Sequence, residues 1–184
     1  GCSSGKVTFG RSVGCLAGRA KELNAPEVSV VMGVYNGADY LEQTLVSILS
    51  QEGCDFEFVV VNDGSTDDTD RILDQWAVQD SRLRVIHQQN VGLTRALVRG
   101  CAEARGEFIA RQDAGDMSLP GRLSEQSAYL GRHVDTVMVA SGTRFVGPAN
   151  ESLYEIKSAG DELGKGLSNL DVKKIQGPSH HGST

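Results

Sequence analysis

Apolar residues fall into a regular pattern from Val28 onward. Val28-Ser-Val-Val-Met-Gly-Val34 is a short, β-branched apolar run that predicts a buried strand. Asn36 and Gly37 break it, and Leu41, Leu45, Ile48 and Leu49 then recur on one helical face. Phe56–Val61 predicts a second strand, and its continuous apolar end suits a parallel sheet buried on both faces. Ile72, Leu73, Trp76 and Ala77 form the inner stripe of a second helix, with Ser65 and Asp68 read as a capping-box variant at its start. The third unit pairs strand Leu83–His87 with a helix that aligns Leu93, Leu97, Cys101 and Ala104 and stops at Gly106. A fourth strand covers Glu107–Ala110. Pro120 suits the first turn of a helix carrying Leu123, Ser127 and Leu130, and Asp135–Val146 reads as one more strand bent near Gly142.

Strand–helix alternation of this kind predicts an α/β fold with right-handed crossovers and a mostly parallel central sheet flanked by helices. Ligands bind such sheets beyond the carboxyl ends of the strands. Three loops follow strands and are therefore expected to form one site: Tyr35–Asn36, Asn62–Ser65 and Asp113–Asp116. Residues 1–27 have no clear period and read as an arm or linker, residues 28–147 as the ordered domain, and residues 148–184 as a weaker segment with a short helix near Asp161–Leu170.

Composition narrows the partners. The 184 residues are 39% hydrophobic and 23% charged, enough for one domain with a real core. The formal net charge of −6 comes with no basic face, which argues against a nucleic-acid partner. An anionic ligand would have to be met locally, by backbone N–H groups, a few Arg side chains or a metal ion. Cys2, Cys15, Cys54 and Cys101 match no zinc or redox spacing, which suits a reducing cytosol. No apolar run approaches the roughly 20 residues of a transmembrane segment, and residues 1–24 do not read as a signal peptide. Gly1 is not an initiator Met, so the chain reads as a fragment or a processed form.

Candidate chemistry concentrates at the strand ends. Asp63 could accept a hydrogen bond from an imide N–H such as N3 of uracil, although an Asp beside Gly is also an ordinary turn residue. Asp113 and Asp116 flank a tight Ala-Gly pair. Two carboxylates so close repel unless protonated or bridged by a cation, and Mg²⁺ or Mn²⁺ on a diphosphate would answer that. Arg95 and Arg111 could touch phosphates or pair with these acids. Asp67, Asp68 and Asp70 most simply favour a helix N-terminus. Gly160–Gly166 has a superficial P-loop look, one residue short and without the Ser or Thr that would hold Mg²⁺. His180 and His181 read as exposed terminal residues, and Asn150-Glu-Ser152 is a glycosylation sequon only in a secreted chain.

Taken in order, Val28–Gln51 with Tyr35-Asn36-Gly37, Val60–Asp67, Asn90–Leu93, Ala110–Pro120 and Arg122-Leu123 resemble glycosyltransferase family 2 over about two-thirds of the chain. The resemblance implies a Rossmann-like GT-A domain and a nucleotide-sugar donor, UDP-linked in many members. It also implies an inverting displacement onto the hydroxyl of a carbohydrate or lipid-linked acceptor, in polysaccharide biosynthesis. It puts Tyr35 and Asn36 in the first nucleotide-contacting loop and Asp63 at the base. It makes Asp113 the opening of the acidic metal motif beside the donor, with Asp116 as the substitute second ligand of a Mg²⁺ or Mn²⁺ ion, while Arg95 is a candidate donor contact from its residue type alone. The general base is expected beyond Thr184, with His181–Thr184 as the start of a later segment. A cytoplasmic location, free or at the inner membrane face, is the matching expectation.

Two departures stand out. The family commonly reads Asp-Ala-Asp-Asp where this chain has Asp-Ala-Gly-Asp, so Gly115 replaces the usual principal metal ligand. Gly33 also stands where Pro is common. Gly115 keeps open the alternative of a catalytically impaired nucleotide-sugar-binding module. A sugar nucleotidyltransferase would be expected to carry a Gly-rich, Arg- or Lys-bearing loop after the first strand, which Tyr35–Ala38 is not.

Overall fold

The computed structural model describes residues 8–11, 25–147 and 151–156. Strands β2 (Val28–Val34), β3 (Phe56–Asp63), β4 (Leu83–Gln88) and β5 (Phe108–Arg111) alternate with helices α1 (Leu41–Leu49), α2 (Thr69–Gln79) and α3 (Leu93–Glu103), and α4 (Arg122–Arg132) follows β5. The four strands pair in parallel in the order β4-β3-β2-β5. The α/β architecture with a mostly parallel sheet is therefore as expected from the alternation.

The sheet extends past β5 through two antiparallel strands. One is β1 (Thr8–Arg11), whose backbone pairs Phe9 with Ala110, and the other is β6 (Met138–Ala140). The stretch read as an arm thus supplies a sheet strand. The single bent strand expected over Asp135–Val146 is instead two strands in different sheets. Gly142 separates β6 from β7 (Thr143–Val146), which pairs with β8 (Ser152–Ile156).

Alternating residues sort the two faces of the parallel strands. Val28, Val30, Met32, Phe56, Phe58, Val60, Phe108 and Ala110 meet Leu41, Leu45, Ile48, Leu73, Leu123 and Leu130 in one core. Burying each large aliphatic side chain there contributes about 1.5–3 kcal/mol. The opposite face packs differently. α3 buries Ala96 and Gly100 most fully; of the expected stripe, Ala104 is buried, Leu97 and Cys101 are half-buried, and Leu93 is 53% exposed. Small residues win because the helix lies close to the sheet. A Cβ on Gly100 would stand 2.6 Å from Val31 Cγ1, and one on Gly33 would stand 2.9 Å from Leu93 Cδ1. Gly33 thus lies under Leu93 and Ala96 of α3.

Beside α3 the same face buries a carboxylate. Glu57 accepts hydrogen bonds from Ser29 Oγ (2.7 Å), Arg105 N (2.7 Å), Arg84 (2.8 Å) and Arg105 Nε (3.0 Å). Burial works to raise its pKa, but these donors outweigh it and hold the group below the usual carboxylate range.

Candidate functional site

The first two strand-end loops are latched together. Asn36, at φ 50°, donates its N–H to Ser65 Oγ (2.9 Å), and its side-chain oxygen accepts from Thr66 N (2.8 Å). Gly37 N donates to Thr69 Oγ1 and Ala38 N to Asp67 Oδ2. Asn62 supports the latch from below, because its Oδ1 accepts from both Ser65 N and Ser65 Oγ. Ser65 is consumed by this turn and makes no capping box with Asp68. α2 begins at Thr69, whose N–H is met by Asp67 Oδ1 at 3.0 Å. The Asn36 carboxamide oxygen is likewise committed to the neighbouring loop, and Tyr35 beside it is 49% exposed.

Asp63 ends β3 in a pocket of N–H donors. Its Oδ1 accepts from Gln88 Nε2 (2.7 Å) and Val91 N (3.0 Å), and its Oδ2 from Gly92 N (2.8 Å). Gly92 is the N-cap of α3 and has no side chain to cap with, so Asp63 supplies the cap from another strand. Burial opposes its ionisation, but the three donors prevail and lower its pKa. A carboxylate offers about four acceptor positions, so three bonds leave room for one more, on Oδ2. Gly64 next to it is obligatory on two counts. Its φ is +73°, and a Cβ would lie 2.7 Å from Asn90 N.

The third loop is tied to the first through α1. Gly115 N donates to Thr44 Oγ1 (3.0 Å), Ser118 N to Ser47 Oγ (3.1 Å), and the Tyr40 ring lies against Gly115. The turn closes on Gln112, which is fully buried and donates from Nε2 to the Asp113 and Asp116 carbonyls. Gln112 Oε1 accepts from Ser118 Oγ and from Arg122. Arg122 is 8% exposed and also reaches Gln126, Ser118 and the Arg111 carbonyl. Burial pushes its pKa down to about 10, against the field of Asp116. Pro120 lies ahead of α4 instead of in its first turn, because the Leu119 carbonyl is drawn to Gln51 Nε2 (2.9 Å) and Gly121 caps the helix.

The expected residues are distributed accordingly. Asp113 forms a two-pronged pair with Arg111, Nε to Oδ1 at 2.8 Å and NH2 to Oδ2 at 3.0 Å. Arg95 is exposed in the first turn of α3. Among the described residues, no three His, Cys, Asp or Glu side chains are grouped so as to hold a metal ion. Asp113 and Asp116, each beside an arginine and separated by Gly115, do not make a donor set suited to Mg²⁺ or Mn²⁺. Sequence reasoning gave no role to Tyr40, Thr44, Gln88, Gln112 or Arg122. The available signal was a polar residue in an apolar frame: Thr44 on the inner face of α1, and Gln112 directly after an apolar strand. Gly160–Gly166, the helix near Asp161–Leu170, Asn150, His180 and His181, Cys2 and Cys15 lie outside the described residues. None of the described helices is long and apolar enough to cross a membrane.

Comparison with known proteins fits this geometry. The chain is 40% identical over 121 residues to EpsE of Bacillus subtilis, named as a glycosyltransferase, covering 65% of this chain and 44% of that protein. It is 32% identical over 139 residues to the uncharacterized glycosyltransferase MJ1057 of Methanocaldococcus jannaschii, covering 74% and 48%. It thus spans less than half the length of these relatives. Among solved structures, Staphylococcus aureus TarS 1–349 in complex with UDP-GlcNAc matches at TM-score 0.55 and 28% identity, over 59% of this chain and 32% of that one. The mannosyltransferase PcManGT of Pyrobaculum calidifontis, in complex with GDP-Man and Mn²⁺, matches at TM-score 0.54 and 26% identity, over 65% and 37%. The description of glycosyl transferase family 2 covers residues 29–181, and the chain belongs to that family, with its GT-A fold.

Proposed function

We propose that this chain is the donor-binding part of a glycosyltransferase that takes a nucleoside-diphosphate sugar, UDP-linked, and passes the sugar with inversion to a carbohydrate or lipid-linked acceptor hydroxyl. The observation that carries the reading is Asp63. It is an ionised carboxylate held entirely by N–H donors at a strand end, with one acceptor position left. An acceptor-only group suits a base that presents an imide N–H, as uracil does at N3. Tyr35, 49% exposed beside the Asn36 latch, offers a ring face to the base. Arg95, in the first turn of α3, and Asp113, just past β5, are the groups assigned to the sugar diphosphate.

The general base belongs to the acceptor-side part of the enzyme. Transfer itself is therefore a property of the whole protein, working at the cytoplasmic face where surface polysaccharide is assembled. Gly115 favours a second reading, a nucleotide-sugar-binding module without transfer activity. Donor hydrolysis by the full-length protein separates the two. The donor site is tested by titration calorimetry. UDP is expected to bind this chain, and Asp63→Ala to weaken binding about tenfold or more while thermal melting still reports a folded protein. Equal heats for both proteins would defeat the assignment.

A further inference from the structure

The acidic turn after β5 carries as much positive charge as negative. Asp113 is matched through both carboxylate oxygens by Arg111. Asp116 lies in the field of Arg122, a guanidinium buried to 8% exposure and anchored through Nε, NH1 and NH2 on Gln126, Gln112, Ser118 and the Arg111 carbonyl. A divalent cation at Asp116 would sit beside that buried charge and be repelled by it. The third position of the turn cannot help. Gly115 has φ +95°, which disfavours a side chain there, although a Cβ would meet nothing closer than Tyr40 Cδ2 at 3.4 Å.

Arg111 is the accessible member of the set. Its side chain is 41% exposed at the carboxyl end of β5, where the proposed donor diphosphate would lie. The pair with Asp113 uses Nε and NH2, which leaves NH1 outside it. A guanidinium gripped along one edge by a carboxylate is fixed in direction and can give its other edge to phosphate oxygens.

We infer that this chain binds the donor diphosphate through Arg111, oriented by Asp113, with no resident Mg²⁺ or Mn²⁺ on the Asp113–Asp116 turn. This inference rests on the donor-binding reading above and adds how the charge is met.

The test uses the full chain, UDP and Mn²⁺. Calorimetric titration should show UDP binding in EDTA that is no tighter in Mn²⁺, and weaker where Mn²⁺ saturates the nucleotide. In the electron paramagnetic resonance spectrum of Mn²⁺ with UDP, adding the protein should only raise the signal of free aqueous Mn²⁺, because the protein draws UDP away from the metal, and no protein-bound Mn²⁺ signal should appear. In EDTA, Arg111→Ala should weaken UDP about tenfold, and Arg111→Lys, which keeps the charge without the fork, should fall between. Circular dichroism checks that both variants fold. Tenfold tighter UDP binding in Mn²⁺, or a new protein-bound Mn²⁺ spectrum, would overturn the inference while leaving the donor site standing. Undiminished UDP affinity of Arg111→Ala in EDTA would overturn the role of Arg111. No UDP binding in either condition would overturn both this inference and the reading beneath it.

Discussion

Two strand ends of this sheet each carry an aspartate that the sequence marks as functional, and their surroundings make them chemically different. Asp63 is met only by uncharged donors: Gln88 Nε2, Val91 N and Gly92 N. Its negative charge is stabilised without being cancelled. Asp113 is met by the guanidinium of Arg111, and the pair is close to neutral. The lesson is that position in the fold proposes a site and the neighbours decide its chemistry. One end holds an uncancelled carboxylate; the other presents a half-exposed arginine.

Three variants break or sharpen this contrast. Gly64→Ala has the largest expected effect. It forces a side chain into φ +73° and against Asn90 N at 2.7 Å, so the loop that covers Asp63 must move. A loss of about 3 kcal/mol in chemical denaturation is expected, together with UDP binding. Stability within 1 kcal/mol of the parent would mean that the Gln88–Gly92 loop is not seated on the β3 turn.

Asp63→Asn comes next. It keeps one acceptor oxygen but turns an amide donor toward backbone N–H groups, at a cost of about 1–2 kcal/mol near neutral pH. The sign with pH follows from its lowered pKa. The folded protein releases this proton more readily than the unfolded chain, whose Asp titrates near its ordinary value. The contribution is thus complete above that value and disappears as pH falls through the folded one. Melting temperatures between about pH 3 and 6 should fall more steeply on acidification in the parent than in the variant. Parallel curves would contradict the buried, donor-held carboxylate. Asp113→Asn is the mildest change. Its arginine partner is 41% exposed and can be hydrated, so under about 1 kcal/mol of stability should be lost. A loss larger than that of Asp63→Asn would reverse the comparison.

Much of this was legible in the chain, and what was not has definite causes. The apolar runs of β2 and β3 and the Leu41–Leu45–Ile48 stripe mark elements buried against a sheet, where the hydrophobic effect imposes its period on the sequence. β1 escaped because a four-residue strand takes its order from the partners β5 and β6, through backbone pairing that leaves no period. The most buried positions of α3 depart from the apolar stripe for a related reason. Periodicity counts large apolar residues, but this helix approaches the sheet through Ala96 and Gly100.

At the site, the aspartates and glycines are visible as turn chemistry; the Asn36–Ser65 bond joins the first two loops, and the third is tied by Gly115 to Thr44 of α1. The destination of each hydrogen bond was not visible. Asn36 and Thr66 are 30 residues apart in sequence, and Asp63 and Gly92 are 29 apart. Such pairs depend on the register of the parallel strands, which no local pattern encodes. The buried Gln112–Arg122 network escaped likewise, because a polar residue next to a turn reads as solvated until its partners are known.

The central claim is that Asp63 serves as an ionised acceptor for the base of a nucleotide donor. Titration calorimetry with UDP and with CDP tests it most directly, because uracil offers an N–H at position 3 where cytosine offers a lone pair. The account predicts that the parent binds UDP about tenfold or more tighter than CDP, and that Asp63→Asn brings the two close to equal. CDP binding as tight as UDP, or a preference that survives in Asp63→Asn, would contradict it.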